Sequence, residues 1–141
     1  MILLDTNVLS EFMRVAPDPG VVAWLDAQPG DKIWICAVTR AEVEVGIALL
    51  PEGRRKQRLK LKAEAMFQGE FAGRCLPFDD VAAGQYARLV AARTRIGKPI
   101  SVEDAQIAAI ALTHGLTLAT RNVADFENIE ALAVMNPWNG N

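Results

Sequence analysis

The sequence is poor in the residues that build thiolate or imidazole sites, with two cysteines, Cys36 and Cys75, and one histidine, His114. Both cysteines sit inside apolar strand-like runs, which marks them as buried reduced thiols rather than a disulfide or a metal site. No apolar run reaches the ~20 residues that span a bilayer, and the apolar start Met1 to Leu4 is cut at once by Asp5. Neither a membrane span nor an export signal is visible, so the expected location is cytoplasmic. Positive charge is not in surplus: 15 Lys and Arg against 17 Asp and Glu leave a net charge of -2. Any surface for nucleic acid must therefore be local. Phosphate loops of the G-x-G-x-x-G or G-x-x-x-x-G-K-S/T kind are missing, which leaves a nucleotide-binding reading with little support.

What is present suits one soluble globular domain, residues 1–141. The chain is 51% apolar and 23% charged, and it is long enough to bury a core. Ile2-Leu3-Leu4 reads as a short strand that ends at Asp5-Thr6-Asn7, good caps for the helix that follows. Pro19 to Ala27 has helical spacing and stops at Pro29-Gly30. Ile33-Trp34-Ile35-Cys36 is β-prone, and Thr39 is placed to start a helix through Leu50. An amphipathic helix is expected over about residues 54 to 71, with Leu59, Ala63, Met66 and Phe67 on one face. Residues 74–78 form a brief strand, and Asp79-Asp80 cap a helix to about residue 96. Ser101 starts a helix to His114, Gly115 ends it, and residues 116–119 and 131–135 read as the last two strands around one helical turn. Short strands alternating with helices imply an α/β fold, a three-layer α/β/α sandwich with a short parallel sheet.

This topology gathers acids at one place. Asp5 follows the first strand, and Glu42 lies early in the helix leaving the second core strand. Asp104 opens a helix running back against the strands, so it returns to the same C-terminal edge. Asn122 and Asp125 follow the strand after it. Open α/β sheets put their ligand sites at that edge. Acids within ~5 Å of each other repel by roughly 3 kcal/mol per pair at an effective dielectric of about 20, and so need a cation or a proton. An all-oxygen set suits Mg²⁺ or Mn²⁺ and, with it, metal-assisted hydrolysis of a phosphodiester.

Each residue also has a plainer reading. Asp5 can be an N-cap, Glu42 a first-turn acid on a helix dipole, and Asp104 part of a capping box with Ser101. Glu103 projects away from Asp104 and reads as solvated or supporting. Thr6, Asn7, Thr39 and Thr120 are candidates either to orient carboxylates or to cap turns, and His114 closes a helix. Asp5 as a phosphorylated nucleophile competes with the metal reading. The haloacid-dehalogenase-like version expects a second Asp where Asn7 stands.

The pieces M-I-L-L-D-T-N-V-L-S-E, A-V-T-R-A-E-V, D-A-Q-I-A-A, L-A-T-R-N and N-P-W, in this order from residue 1 to residue 138, resemble the PIN-domain nucleases. The nearest pattern is the toxin of VapBC-type toxin–antitoxin pairs, in the FitB-like branch. The resemblance implies a Mg²⁺- or Mn²⁺-dependent endoribonuclease that homodimerises and is silenced by a cognate VapB/FitA-like antitoxin. Its acidic positions fall on Asp5, Glu42 and Asp104. A fourth, where many relatives carry Asp, falls on Asn122, which makes Asp125 a candidate substitute. Arg54, Arg55, Lys56, Arg58, Lys60 and Lys62 offer a phosphate-contacting face, with Arg88, Arg93, Arg95 and Lys98 as a second. Leu49, Leu50, Phe67 and Phe71 are the apolar candidates for a dimer contact.

Overall fold

The computed structural model describes residues 1–139. Three segments, β1 (Ile2–Leu4), β2 (Ile33–Cys36) and β4 (Thr117–Ala119), form the centre of a five-stranded sheet. The outer strands are β3 (Cys75–Leu76) and β5 (Val134–Met135), and the order is β3-β2-β1-β4-β5. All four pairings are parallel, with Leu3 opposite Trp34 on one side and Leu118 on the other. Side chains alternate across a strand, so each central strand feeds two cores. Leu3, Cys36 and Leu118 join one cluster, and Leu4, Ile35 and Ala119 join the other.

The first cluster is covered by α5 (Asp80–Arg95) and α6 (Val102–His114), which pack closely on each other. α6 buries Ala105 and an unbroken run from Ile107 to Ala111. The second is covered by α1 (Thr6–Glu11), α2 (Pro19–Asp26), α3 (Ala37–Ala48) and α4 (Arg54–Ala65). The three-layer parallel α/β/α arrangement is the one the sequence implies.

Caps decide the helix ends. The Asp79 carboxylate accepts from Ala82 N at 3.0 Å and starts α5. The Ser101 hydroxyl accepts from Asp104 N at 3.2 Å and starts α6. α6 ends at Gly115, whose φ of 65° is left-handed, so the chain reverses directly into β4.

Some local expectations are corrected. α3 begins at Ala37, two residues before Thr39, which is buried in the first turn with its hydroxyl 3.5 Å from Cys36 Sγ. The last strand is Val134–Met135 only, because Ala131 has φ of 69° and cannot be extended. Cys75 is half-buried rather than buried, although both thiols are free. Phe67 and Phe71 belong to the core beneath α4, which leaves Leu49, 81% exposed, as the outward apolar side chain of the four dimer candidates, with Leu50 between. No helix among the described residues is long and apolar enough to cross a membrane.

Candidate active site

The chain leaves β1 for β2 and β3 on one side and returns to β4 and β5 on the other, so the strand order reverses between β1 and β4, where parallel sheets of this kind place a ligand crevice. Asp5 stands there as the N-cap of α1, its N–H bonded to Ala119 O at 2.9 Å. Its carboxylate is buried and tied by both oxygens. Oδ1 accepts from Thr6 N at 2.7 Å, and Oδ2 accepts from the Thr120 hydroxyl at 2.7 Å. Burial pushes the Asp5 carboxyl above its ordinary value, the two threonine bonds pull it back, and the Asp125 charge raises it further.

The Thr6 hydroxyl donates to Glu42 Oε1 at 2.7 Å. One threonine thus links the exposed Glu42 of α3 to Asp5. Asp104, in the first turn of α6, is half-buried, and its carboxyl is pushed up to about 6. Desolvation contributes most, then the Asp5 charge, against a Ser101 hydrogen bond, with smaller increments from Asp125 and Glu42. Four acids from four segments therefore share one electrostatic field. Among the described residues, no group of three or more acidic, histidine or cysteine side chains is gathered tightly enough to hold an ion as it stands. Asp5 and Glu42 are instead oriented by their threonine bonds.

Asn122 is exposed and enters through its backbone. Its N–H donates to Thr120 Oγ1 at 3.1 Å, and its carbonyl accepts from Asp125 N at 3.0 Å. The 3-10 turn Val123–Phe126 that follows carries Asp125, whose charge reaches both Asp5 and Asp104. Glu103 is exposed and lines, with Glu42 and Gln106, a cleft of about 630 Å³ between α3 and α6. His114 is exposed at the opposite end of α6 from Asp104. Of the four polar residues expected at this edge, Thr6 and Thr120 orient carboxylates. Asn7 accepts from Arg121 N at 3.4 Å, and Thr39 lies away beside Cys36.

The basic surfaces divide differently from the sequence expectation. A groove of about 330 Å³ between α1, α3 and α4 contains Arg14, Arg55 and Arg58 as well as Thr6 and Glu42, so it reaches the acidic edge. Lys56 is engaged with Glu52 at 2.7 Å and Ala48 O at 3.2 Å. Arg93 is not a surface cation: it is buried and donates to the carbonyls of Lys98, Asp125 and Glu127 at 2.7, 3.0 and 2.9 Å. Its work is to anchor the turn that carries Asp125. Glu11 is likewise a charge taken into the fold. It is buried, accepts from Asp18 N at 2.8 Å and pairs with Arg14 at 3.3 Å, holding the entry to α2. Nothing in the spacing of Glu11 or Arg93 distinguishes them from exposed charges.

The comparisons with known proteins identify the family and the fold. The sequence model of the PIN domain matches residues 2–132. The chain is 42% identical over 138 residues to VapC ribonuclease Y4jK of Sinorhizobium fredii, covering 98% of each. It is 44% identical over 138 residues to the toxin FitB of Neisseria gonorrhoeae, covering 98% of this chain and 99% of that one. A solved structure of FitAB bound to a DNA fragment matches with a TM-score of 0.91 at 43% identity, covering 98% of this chain and 96% of that one. The chain belongs to the PIN-domain family, within the group that includes the VapC and FitB toxins.

Proposed function

We propose that this chain, read as one nuclease domain, is an endoribonuclease and the toxin of a toxin–antitoxin pair, with Asp5, Glu42 and Asp104 holding Mg²⁺ or Mn²⁺ at the sheet edge. The observation that carries the reading is the convergence of Asp5, Glu42, Asp104 and Asp125 from four segments at one crevice, with Asp104 pushed up to about 6 by burial and its acidic neighbours. Side chains that repel one another are kept together there, which disfavours the fold unless a cation binds. The donor set is entirely oxygen and fits a hard divalent ion. When bound, such an ion activates water and neutralises charge on the phosphodiester.

The protein's own part is orientation. Thr6 and Thr120 fix the Asp5 carboxylate, Thr6 also fixes Glu42, and Ser101 sets the first turn of α6 that presents Asp104. Asp125, or the side-chain amide oxygen of Asn122, supplies a further ligand. The groove carries Arg55 beside Arg14, paired with Glu11, and Arg58, bonded to the Met13 carbonyl, and it suits the phosphates of an RNA strand entering past Glu42. The partner is a FitA-like antitoxin that covers the acidic edge with a basic side chain.

Incubation of purified, antitoxin-free protein with mixed RNAs should give cleavage with Mn²⁺ or Mg²⁺ and none with chelator. Asp5→Asn and Asp104→Asn should each lower the rate at least about 100-fold while the fold persists. Equal cleavage by these variants would remove the assignment.

A further inference from the structure

The terminal N-P-W run contributes nothing to the acidic cluster, yet it holds the loop beside it. Asn136 Nδ2 donates a long hydrogen bond of 3.5 Å to the Arg121 carbonyl, and Asn136 Oδ1 accepts from Trp138 N at 2.9 Å. From the other side, Arg121 N donates to Asn7 Oδ1 at 3.4 Å. The Arg121 guanidinium stacks over the Trp138 ring, 4.8 Å from its centroid. Thr120, which bonds Asp5, is its immediate neighbour, and Asn7 lies in the helical turn that Asp5 caps. The cation is thus held on a flat support close to the acids.

Six of the other fourteen cations already have partners within the chain. Arg14, Arg40 and Lys56 pair with carboxylates, and Arg58, Arg74 and Arg93 donate to main-chain carbonyls. The Arg121 guanidinium makes no ion pair or side-chain hydrogen bond among the described residues. A guanidinium held over a ring, with no other side-chain partner among the described residues, keeps its N–H donors available, and its planar fork matches two phosphate oxygens. Stacking also restricts the side chain before binding and so reduces the ordering cost.

We propose that Arg121, braced on Trp138, grips a phosphate of the RNA strand adjacent to the one held at the acidic edge. The assignment rests on the ribonuclease reading and names a substrate-binding residue for that site. It is tested by the affinity of a labelled single-stranded RNA, measured over a range of salt with chelator present so that nothing is cleaved. Arg121→Ala should bind roughly tenfold more weakly and lower the salt slope by about 0.7, the value for one lost phosphate contact on a single strand. Arg121→Lys should keep the slope but lose part of the affinity, because the charge stays and the fork goes. Trp138→Phe should stay closer to the parent than Trp138→Ala, and if Trp138→Ala does not fold, the other three variants decide. Unchanged affinity and slope in Arg121→Ala overturn the proposal while leaving the nuclease intact. So does a loss confined to antitoxin binding. A parent protein that binds no RNA fails at the earlier step, the ribonuclease reading itself.

Discussion

At the residue scale, Asp104 gives the most direct check. Its carboxyl titrates near 6 in the fold against an ordinary value of 3.8. For a raised acid, the contribution to stability is present below about pH 4 and is lost as pH rises through 6. Asp104→Asn should therefore stabilise the metal-free protein at pH 8, on the order of 1 kcal/mol after allowing for partial exposure, and raise Tm by about 3 °C. At pH 3.5 the two should melt together, and a gain of the same size at both pH values would contradict this origin. A second check separates the two candidate fourth ligands. Asn122→Asp should lower the Mn²⁺ concentration needed for cleavage by about tenfold, whereas Asp125→Ala should slow cleavage only a few-fold. Complete inactivation of a folded Asp125→Ala protein would reverse that ranking. Asp5 and Asp104 were legible because one follows and the other opens an element whose direction the sequence reveals, whereas Glu42 is not the first-turn acid expected but lies in the second turn of α3, which begins at Ala37. Which threonine held which oxygen was not, since a hydroxyl at a turn reads the same whether it caps the backbone or orients a carboxylate.

At the scale of elements, the apolar runs marked all five strands, although β3 and β5 are shorter than the expected 74–78 and 131–135, and Asp79 and Ser101 start helices and Gly115 ends one where their chemistry places them. The turn after Asn122 was visible only as a turn, because its anchor comes from α5. Arg93→Met should leave the carbonyls of Lys98, Asp125 and Glu127 without their buried donor, costing about 1–3 kcal/mol and lowering Tm by about 3–10 °C. It should also weaken Mn²⁺ binding, as the turn carrying Asp125 loosens. Thermal melting with and without Mn²⁺ tests both effects, and a variant as stable as the parent would show that the three hydrogen bonds contribute nothing. The aromatic pair Phe67 and Phe71 illustrates the opposite limit of reading by pattern. Both fall at the end of α4, where apolar side chains serve a core and a dimer contact equally well, and only the packing against Met66 and Ala63 assigns them to the core.

At the scale of the whole molecule, Val45 (57%) on α3, Leu49 (81%) at its C-terminal cap and Leu61 (67%) on α4 are among the outward apolar residues and are the ones we assign to a contact between two copies. We expect sedimentation at micromolar concentration to show a dimer, and Leu49→Lys to shift it to monomer without loss of Tm. A parent protein that sediments only as monomer would reject the contact. The sheet order has a different consequence, for the time at which activity can arise. β1 is made first, yet Asp5 acquires the hydroxyl that orients it from Thr120, 115 residues later. The strand at the middle of the sheet cannot be flanked on both sides until β4 has been synthesised. Non-local pairing of this kind forms late and slowly. A chain still being translated, or broken off before β4, therefore carries Asp5 and Glu42 but no assembled nuclease. The cell that makes this toxin is exposed to it only after β4 and Thr120 have been synthesised, which leaves an antitoxin that interval of translation in which to be ready.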